Sequence, residues 1–379
     1  MYLSKSPYAL TQSILAMTGL MVIPSFFLMA RSLCKKAEFA HVSTIMWSAF
    51  SGLGWFYFIK KAISRGISPE ILKEASLATY YDISFGNSFW IFLWLRPITI
   101  AYVILFVLFH IVESHDDPKV KYILPVMVGS LYFIHLPELI IFAISISAFE
   151  LMRGRAVHGR KKTILSSLIG VLGGFLSYVS LNHVFQIKTR IDVMLGTLLM
   201  VLLMILALIS QGKREKGMGR GLKKINLVSR WVLLVYICGL ISWLFLGDKQ
   251  TGEALLESHY VSLLYYPVFF GAVGLLFLMG LDSLHRDSNG RRPKSAMLYV
   301  LIAVALIFGK ALSVLRAEYA WLGYAERRMI PLVFASICIL ASSSLERVYK
   351  KLKEGHRKGF VFLFLFLLFA FSTGSNSSS

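Results

Sequence analysis

The run VMLGTLLMVLLMILALIS, from Val193 to Ser210, carries no charged residue. A helix that long and apolar has two homes: the centre of a large protein, or the hydrocarbon of a bilayer, which takes ~20 consecutive apolar residues to cross. The chain repeats the pattern in AMLYVLIAVALIFGKALSVL and ALTQSILAMTGLMVIPSFFLMA. Hydrophobic residues make up 56% of the 379, more than a single soluble core employs. A β-barrel would instead alternate apolar and polar residues in segments of ~10. The reading is an all-α, polytopic integral membrane protein.

Apolar periods divide the chain into spans at about 8–30, 42–59, 89–112, 122–134, 137–151, 163–182, 193–211, 231–247, 263–281, 296–315, 330–345 and 359–372. That is eleven or twelve transmembrane helices in one membrane domain covering 1–379, with a Ser-rich tail at 373–379. Lys and Arg number 40 against 20 Asp and Glu, a formal net charge of +20. Threading alternate loops to alternate sides puts about 27 of the 40 basic residues on one side, which makes that side cytoplasmic. The basic excess is thus a topology signal. No basic face interleaved with aromatics occurs outside these short loops, so nucleic acid is excluded as a partner. Cys34, Cys238 and Cys338 stand alone and form neither a disulfide framework nor a metal motif. The first apolar run is long and lacks a small-residue cleavage site, so no cleavable signal peptide is expected.

The segment from Tyr122 to Leu151 needs separate treatment, because His135, Pro137 and Glu138 interrupt an otherwise apolar stretch. As one crossing, it would put the basic loop RGRAVHGRKK on the outer face and invert every later loop. About 30 residues at 1.5 Å rise give roughly 45 Å, long for one helix and short for two full spans. Two short helices turning at HLPE restore the charge alternation. Pro137 then sits at the start of the second helix, where its missing N–H costs little. A charge at the bilayer centre costs about 2.5–3.5 kcal/mol, and a turn near the outer interface relieves most of it.

The candidate chemistry lies on the outer side. The loop 61–88 holds SPEILKEASLA, with Ser68 as N-cap and Ile71, Leu72 and Leu77 on one face, which reads as an amphipathic helix lying on the membrane surface. Asp82 follows, beside Tyr81, as a carboxylate for an interfacial cleft or as a loop cap. Arg96, one residue before Pro97, reads as an anion clamp or as a snorkelling side chain. Arg327 and Arg328 stand on the outer side beside Trp321 and Tyr324, against the positive-inside trend. Arginine keeps its charge and grips phosphate bidentately, so this pair suits a lipid phosphate; the alternative is an interfacial anchor. His135 and Glu138 are candidates for lining the same cleft, and Lys310 is a further intramembrane ionisable group. Asp116 and Asp117 precede Pro118 on the cytoplasmic side and read as helix caps. No HExxH, Walker A, GxSxG or CxxC pattern occurs, which leaves zinc protease, ATP-driven pump and serine hydrolase without support.

Several segments resemble the multi-spanning family C membrane glycosyltransferases, in particular their divergent archaeal and bacterial members. DPKVKYILPVMVGSLYFIHLPELIIFAISISAFELM is similar to a short-helix hairpin of that family with a His-Pro-type turn. AFSGLGWFYFIKKAI and LRPITIAYVILFVLFHIVE look like the segments before it, and ERRMIPLVFASICILASSSLERV looks like a late helix. The likeness covers about residues 45–155 and 316–350. It implies transfer of a sugar from a polyprenyl-phosphate or polyprenyl-diphosphate carrier to an acceptor at the extracytoplasmic face. Carried onto this chain, it implies Arg327 or Arg328 as phosphate ligand and Asp82 as base or as ligand of a divalent metal such as Mg or Mn. The family's acidic motif in a first outer loop has no counterpart, since only MYLSKSPY precedes the first span. The expectation is therefore an N-terminally incomplete chain or one that has lost activity. The alternatives are a transporter or flippase for a lipid-linked or anionic substrate, and a non-enzymatic membrane scaffold.

Overall fold

The computed structural model describes residues 7–34, 36–49, 96–113, 120–153, 158–187, 190–210, 270–271, 273–278, 295–314 and 325–353. All the regular structure among them is helical: α1 (Pro7–Leu33), α2 (Ala37–Ala49), α3 (Arg96–Glu113), α4 (Val120–Ile134), α5 (Leu136–Arg153), α6 (His158–Val184), α7 (Ile191–Ser210), α8 (Ser295–Val314) and α9 (Ala325–Lys353). Residues 270–271 and 273–278 are helical as well. The all-α expectation therefore holds across the described residues. The expected spans at 231–247 and 359–372 and the surface helix in 61–88 lie outside them.

Where a span was expected within the described residues, a helix is found, and its ends show what sets its length. The expected 163–182 becomes His158–Val184, and 330–345 becomes Ala325–Lys353. Charged residues end an apolar run but not a helix, since Lys, Arg and Glu are good helix formers. Among the described residues one helix, Lys162–Val184, is long and apolar enough to cross a membrane by length and composition. Shorter apolar stretches of 10–17 residues occupy α1, α3, α4, α5, α7, α8 and α9.

The chain divides into two compact units. One gathers α1, α3 to α7 and the first half of α8. Within it α1 packs on α3, α4 on α6 and α5 on α7. Aromatic edges lock the first pair, with Phe26 and Phe106 5.4 Å apart at 68°, a geometry worth roughly 0.5–1.5 kcal/mol beyond area burial. Small residues set the second pair. A Cβ on Gly170 would come within 2.6 Å of the Pro125 carbonyl oxygen, and one on Gly174 within 2.8 Å of Tyr132 Cβ. The helices touch backbone to side chain there, which any larger residue would prevent.

The faces of α6 and α7 are inverted relative to a soluble protein. In α6 the inward face holds Ser167, Gly170, Val171 and Gly174, whereas Leu165, Ile169, Leu172, Leu176 and Val179 face outward. Those five recur at helical spacing and form one continuous apolar stripe. In α7, Thr197, Met200, Met204 and Ala207 are buried, while Leu195, Leu198, Leu202 and Ile209 are exposed. Leu176 and Leu198 are each 64% exposed. Two hydroxyls are satisfied by their own helix backbone: Thr197 Oγ1 of α7 donates to the Val193 carbonyl at 2.8 Å, and Ser130 Oγ of α4 to the Val126 carbonyl at 2.9 Å. This back-bonding lets a hydroxyl sit in an apolar helix without an outside partner.

The other unit holds α2, the second half of α8, residues 270–278 and α9. Here α2 packs against α9, and Phe270 stacks on Phe334 with centroids 6.2 Å apart. Every side chain of α9 from Met329 to Ser342 is buried.

Candidate functional site

The break between α4 and α5 is the one interruption inside the stretch from Val120 to Arg153. Pro137 favours a break here: it has no N–H to give the Phe133 carbonyl four residues back, and its ring crowds that carbonyl, although α1 continues through Pro24. The His135 N–H still reaches the Leu131 carbonyl at 2.9 Å and closes the last turn of α4. Leu136 then opens α5, where Pro137 occupies a first-turn position whose N–H would have no intrahelical partner anyway. Within HLPE the helix is interrupted at a single non-helical residue, His135.

Glu138 stands three residues beyond His135, in the first turn of α5. A carboxylate there ordinarily bends back to the backbone N–H of the capping residue. That N–H is already committed to Leu131, and the carboxylate takes the imidazole instead: Glu138 Oε2 meets His135 Nδ1. The Glu138 side chain is fully buried, and that of His135 is 17% exposed. Glu138 Oε1 has no hydrogen-bond partner among the described residues. An unpaired buried polar atom costs about 1–3 kcal/mol, and more when charged.

Both sides of the break converge on one point of α7. Tyr132 Oη lies 2.7 Å from Thr197 Oγ1. Because Thr197 gives its proton to Val193, Tyr132 is the donor. On the α5 side, Ile140 Cδ1 would lie 3.2 Å from a Cβ built on Gly196, with Leu136 Cδ2 at 3.8 Å. Two turns beyond the break, Phe142 meets Phe109 of α3 edge to face at 5.4 Å. The residues flanking the break are thus held from α3, α6 and α7.

Deeper along the helices lie further polar atoms without a partner among the described residues. These are Ser145 Oγ and Ser147 Oγ of α5, Ser167 Oγ of α6 and Asn182 Nδ2 near the end of α6. The α6 end itself is well made. Gln186 adopts a positive φ of 53°, and the Ile187 N–H reaches back to the Asn182 carbonyl at 2.8 Å, closing a Schellman cap.

Of the residues singled out from sequence, His135 and Glu138 come together. Arg96 is the first residue of α3, and Arg327 and Arg328 fall in the first turn of α9; only their backbone is described. The same holds for Lys310 in α8. Asp82, Tyr81, Tyr324, Asp116 and Asp117 lie outside the described residues. No three His, Cys, Asp or Glu side chains converge among the described residues. The His135–Glu138 pair offers two donor side chains with one oxygen already engaged, short of the oxygen-rich shell that Mg or Mn takes. Tyr132, Thr197, Ser145 and Gly196 escape a sequence reading because nothing in their own neighbourhoods marks them. Gly170 and Gly174 did carry a legible signal, small residues four apart in an apolar helix. No family model, curated protein or solved structure matches the chain.

Proposed function

We propose that this chain is a polytopic integral membrane protein that transfers a sugar from a polyprenyl-phosphate or polyprenyl-diphosphate carrier to an acceptor at the extracytoplasmic face. The observation that carries the membrane half is the continuous apolar stripe left exposed along α6, together with the exposed leucines of α7, while Ser167, Gly170, Gly174 and Thr197 are turned inward. Water penalises such a stripe at about 25 cal/mol per Å², whereas lipid tails do not. The separation of Lys and Arg between alternate loops supports the same reading and gives its orientation.

The transferase half is supported by the chemistry of individual residues. A buried carboxylate–imidazole pair at a helix break supplies proton-transfer groups. Arg327 and Arg328, at the start of α9, and Arg96, at the start of α3, supply cations of the kind a departing phosphate needs. The sequence threading gives all of these the outer side. The test is transfer of radiolabelled sugar from a polyprenyl-linked donor in membranes. Arg328→Ala is expected to raise the donor KM at least tenfold and Asp82→Asn to abolish transfer. Unchanged transfer in both variants removes these residues from the mechanism.

One observation favours a second reading, a transporter of a lipid-linked or anionic substrate. Ser145 lies seven residues beyond Glu138, two turns or about 10 Å further along α5, and its hydroxyl and that of Ser167 lack partners among the described residues. Polar groups strung along a broken helix are what a path through a membrane requires. Uptake of a fluorescent lipid-phosphate analogue into vesicles holding the purified protein, without sugar transfer, would select this reading.

A further inference from the structure

We propose that His135 and Glu138 form a base dyad in which Glu138 fixes the ring and His135 presents Nε2 as the proton acceptor; this deepens the transferase reading and rests on it. The geometry is directional. Glu138 Oε2 engages Nδ1, the ring nitrogen nearer the backbone. A carboxylate only accepts hydrogen bonds, so Nδ1 carries the proton between them, and the free lone pair of the neutral ring lies on Nε2. The burial gradient runs the same way, with Glu138 enclosed and part of the His135 side chain exposed. Among the described residues no donor competes for the carboxylate, since Oε1 is unpartnered. Contacts of Tyr132, Leu136, Ile140 and Phe142 with α3, α6 and α7 fix the helix ends on either side of His135. A purely capping role explains Glu138 in the first turn of a helix. It does not call for the carboxylate to face the imidazole, or for the imidazole to reach the surface.

In the reaction, Nε2 takes the hydroxyl proton of the acceptor while the acceptor oxygen bonds the anomeric carbon of the sugar. The bond from that carbon to the phosphate oxygen breaks, and its electron pair leaves on the phosphate. The proton remains on His135 until solvent or the departing phosphate removes it. His135 is the catalytic residue in this assignment, and Glu138 is a positioning residue.

The decisive readout is the tautomer, by nitrogen NMR of histidine-labelled full-length protein in lipid, with the His135 signals identified by their loss in His135→Gln. The expected result is a proton on Nδ1 and a bare Nε2, with a substantial fraction of the proton moved to Nε2 in Glu138→Gln and the original pattern kept in Glu138→Asp. A wild-type ring protonated on Nε2, alone or together with Nδ1, overturns the dyad, as does an unchanged pattern in Glu138→Gln. This measurement needs no substrate, so it stands apart from the transferase reading. In membranes where the wild type transfers sugar, His135→Gln is expected to lower transfer by about 10²–10⁴-fold. Undiminished transfer in that variant removes His135 as base and leaves the transferase reading in place.

Discussion

α6 and the stretch of α9 from Met329 to Ser342 are both apolar, yet they meet opposite surroundings. Around α9 every side chain in that stretch is enclosed by protein, as expected of a helix that is apolar on all sides. Around α6 only the small face is enclosed, and Leu165, Ile169, Leu172, Leu176 and Val179 are left outside. Both are rich in Leu, Ile and Ser, but α6 carries Gly170, Gly173 and Gly174 where the α9 stretch has no glycine. The difference lies in where the large side chains point. In α9 they fill a core. In α6 they point away from the protein while Gly170 and Gly174 face α4, so the packing of α4 on α6 depends on close approach.

That contrast can be broken at three depths. The largest effect is expected in α9. Phe334 is buried and stacked on Phe270, so Phe334→Ala should cost about 3–5 kcal/mol. Leu176→Ala, on the exposed stripe, should cost far less. Thermal unfolding of the detergent-solubilised protein compares the two, and equal losses would erase the distinction between core and stripe. Next comes the glycine contact. Gly170→Ala drives a methyl to within 2.6 Å of the Pro125 carbonyl and 2.7 Å of Val128 Cβ, and overpacking of this kind costs roughly 1–3 kcal/mol. Gly173 is its control, because a Cβ there meets nothing within 4 Å. Gly173→Ala should be the smallest change and of opposite sign, a gain of about 0.5–1 kcal/mol from helix propensity.

Much of this architecture was legible in the sequence, for identifiable reasons. Apolar runs fix helix positions, so the expected 193–211 and the observed Ile191–Ser210 nearly coincide. Pro137 marks the break, but proline alone does not decide it, since α1 continues through Pro24. Charge misled the helix ends: the sequence put Arg327 and Arg328 before the late span, whereas both belong to the first turn of α9. The pairing of His135 with Glu138 was legible only as proximity. Which atoms meet depends on the His135 N–H being committed to Leu131, a fact of the backbone path. The convergence of Tyr132 and Ile140 on Thr197 and Gly196 joins residues more than fifty positions apart, and a single sequence carries no trace of it.

The central claim is that lipid, and not water, covers the outer stripe of α6. The direct measurement places a single cysteine at Leu176 in a chain whose native cysteines are replaced by alanine, and treats native membranes with a water-soluble maleimide. A thiol surrounded by hydrocarbon does not form the thiolate that reacts. The account predicts no labelling of Cys at this position until the membrane is dissolved and the protein denatured. Labelling in intact membranes at the rate of a cysteine on a water-exposed loop would contradict it.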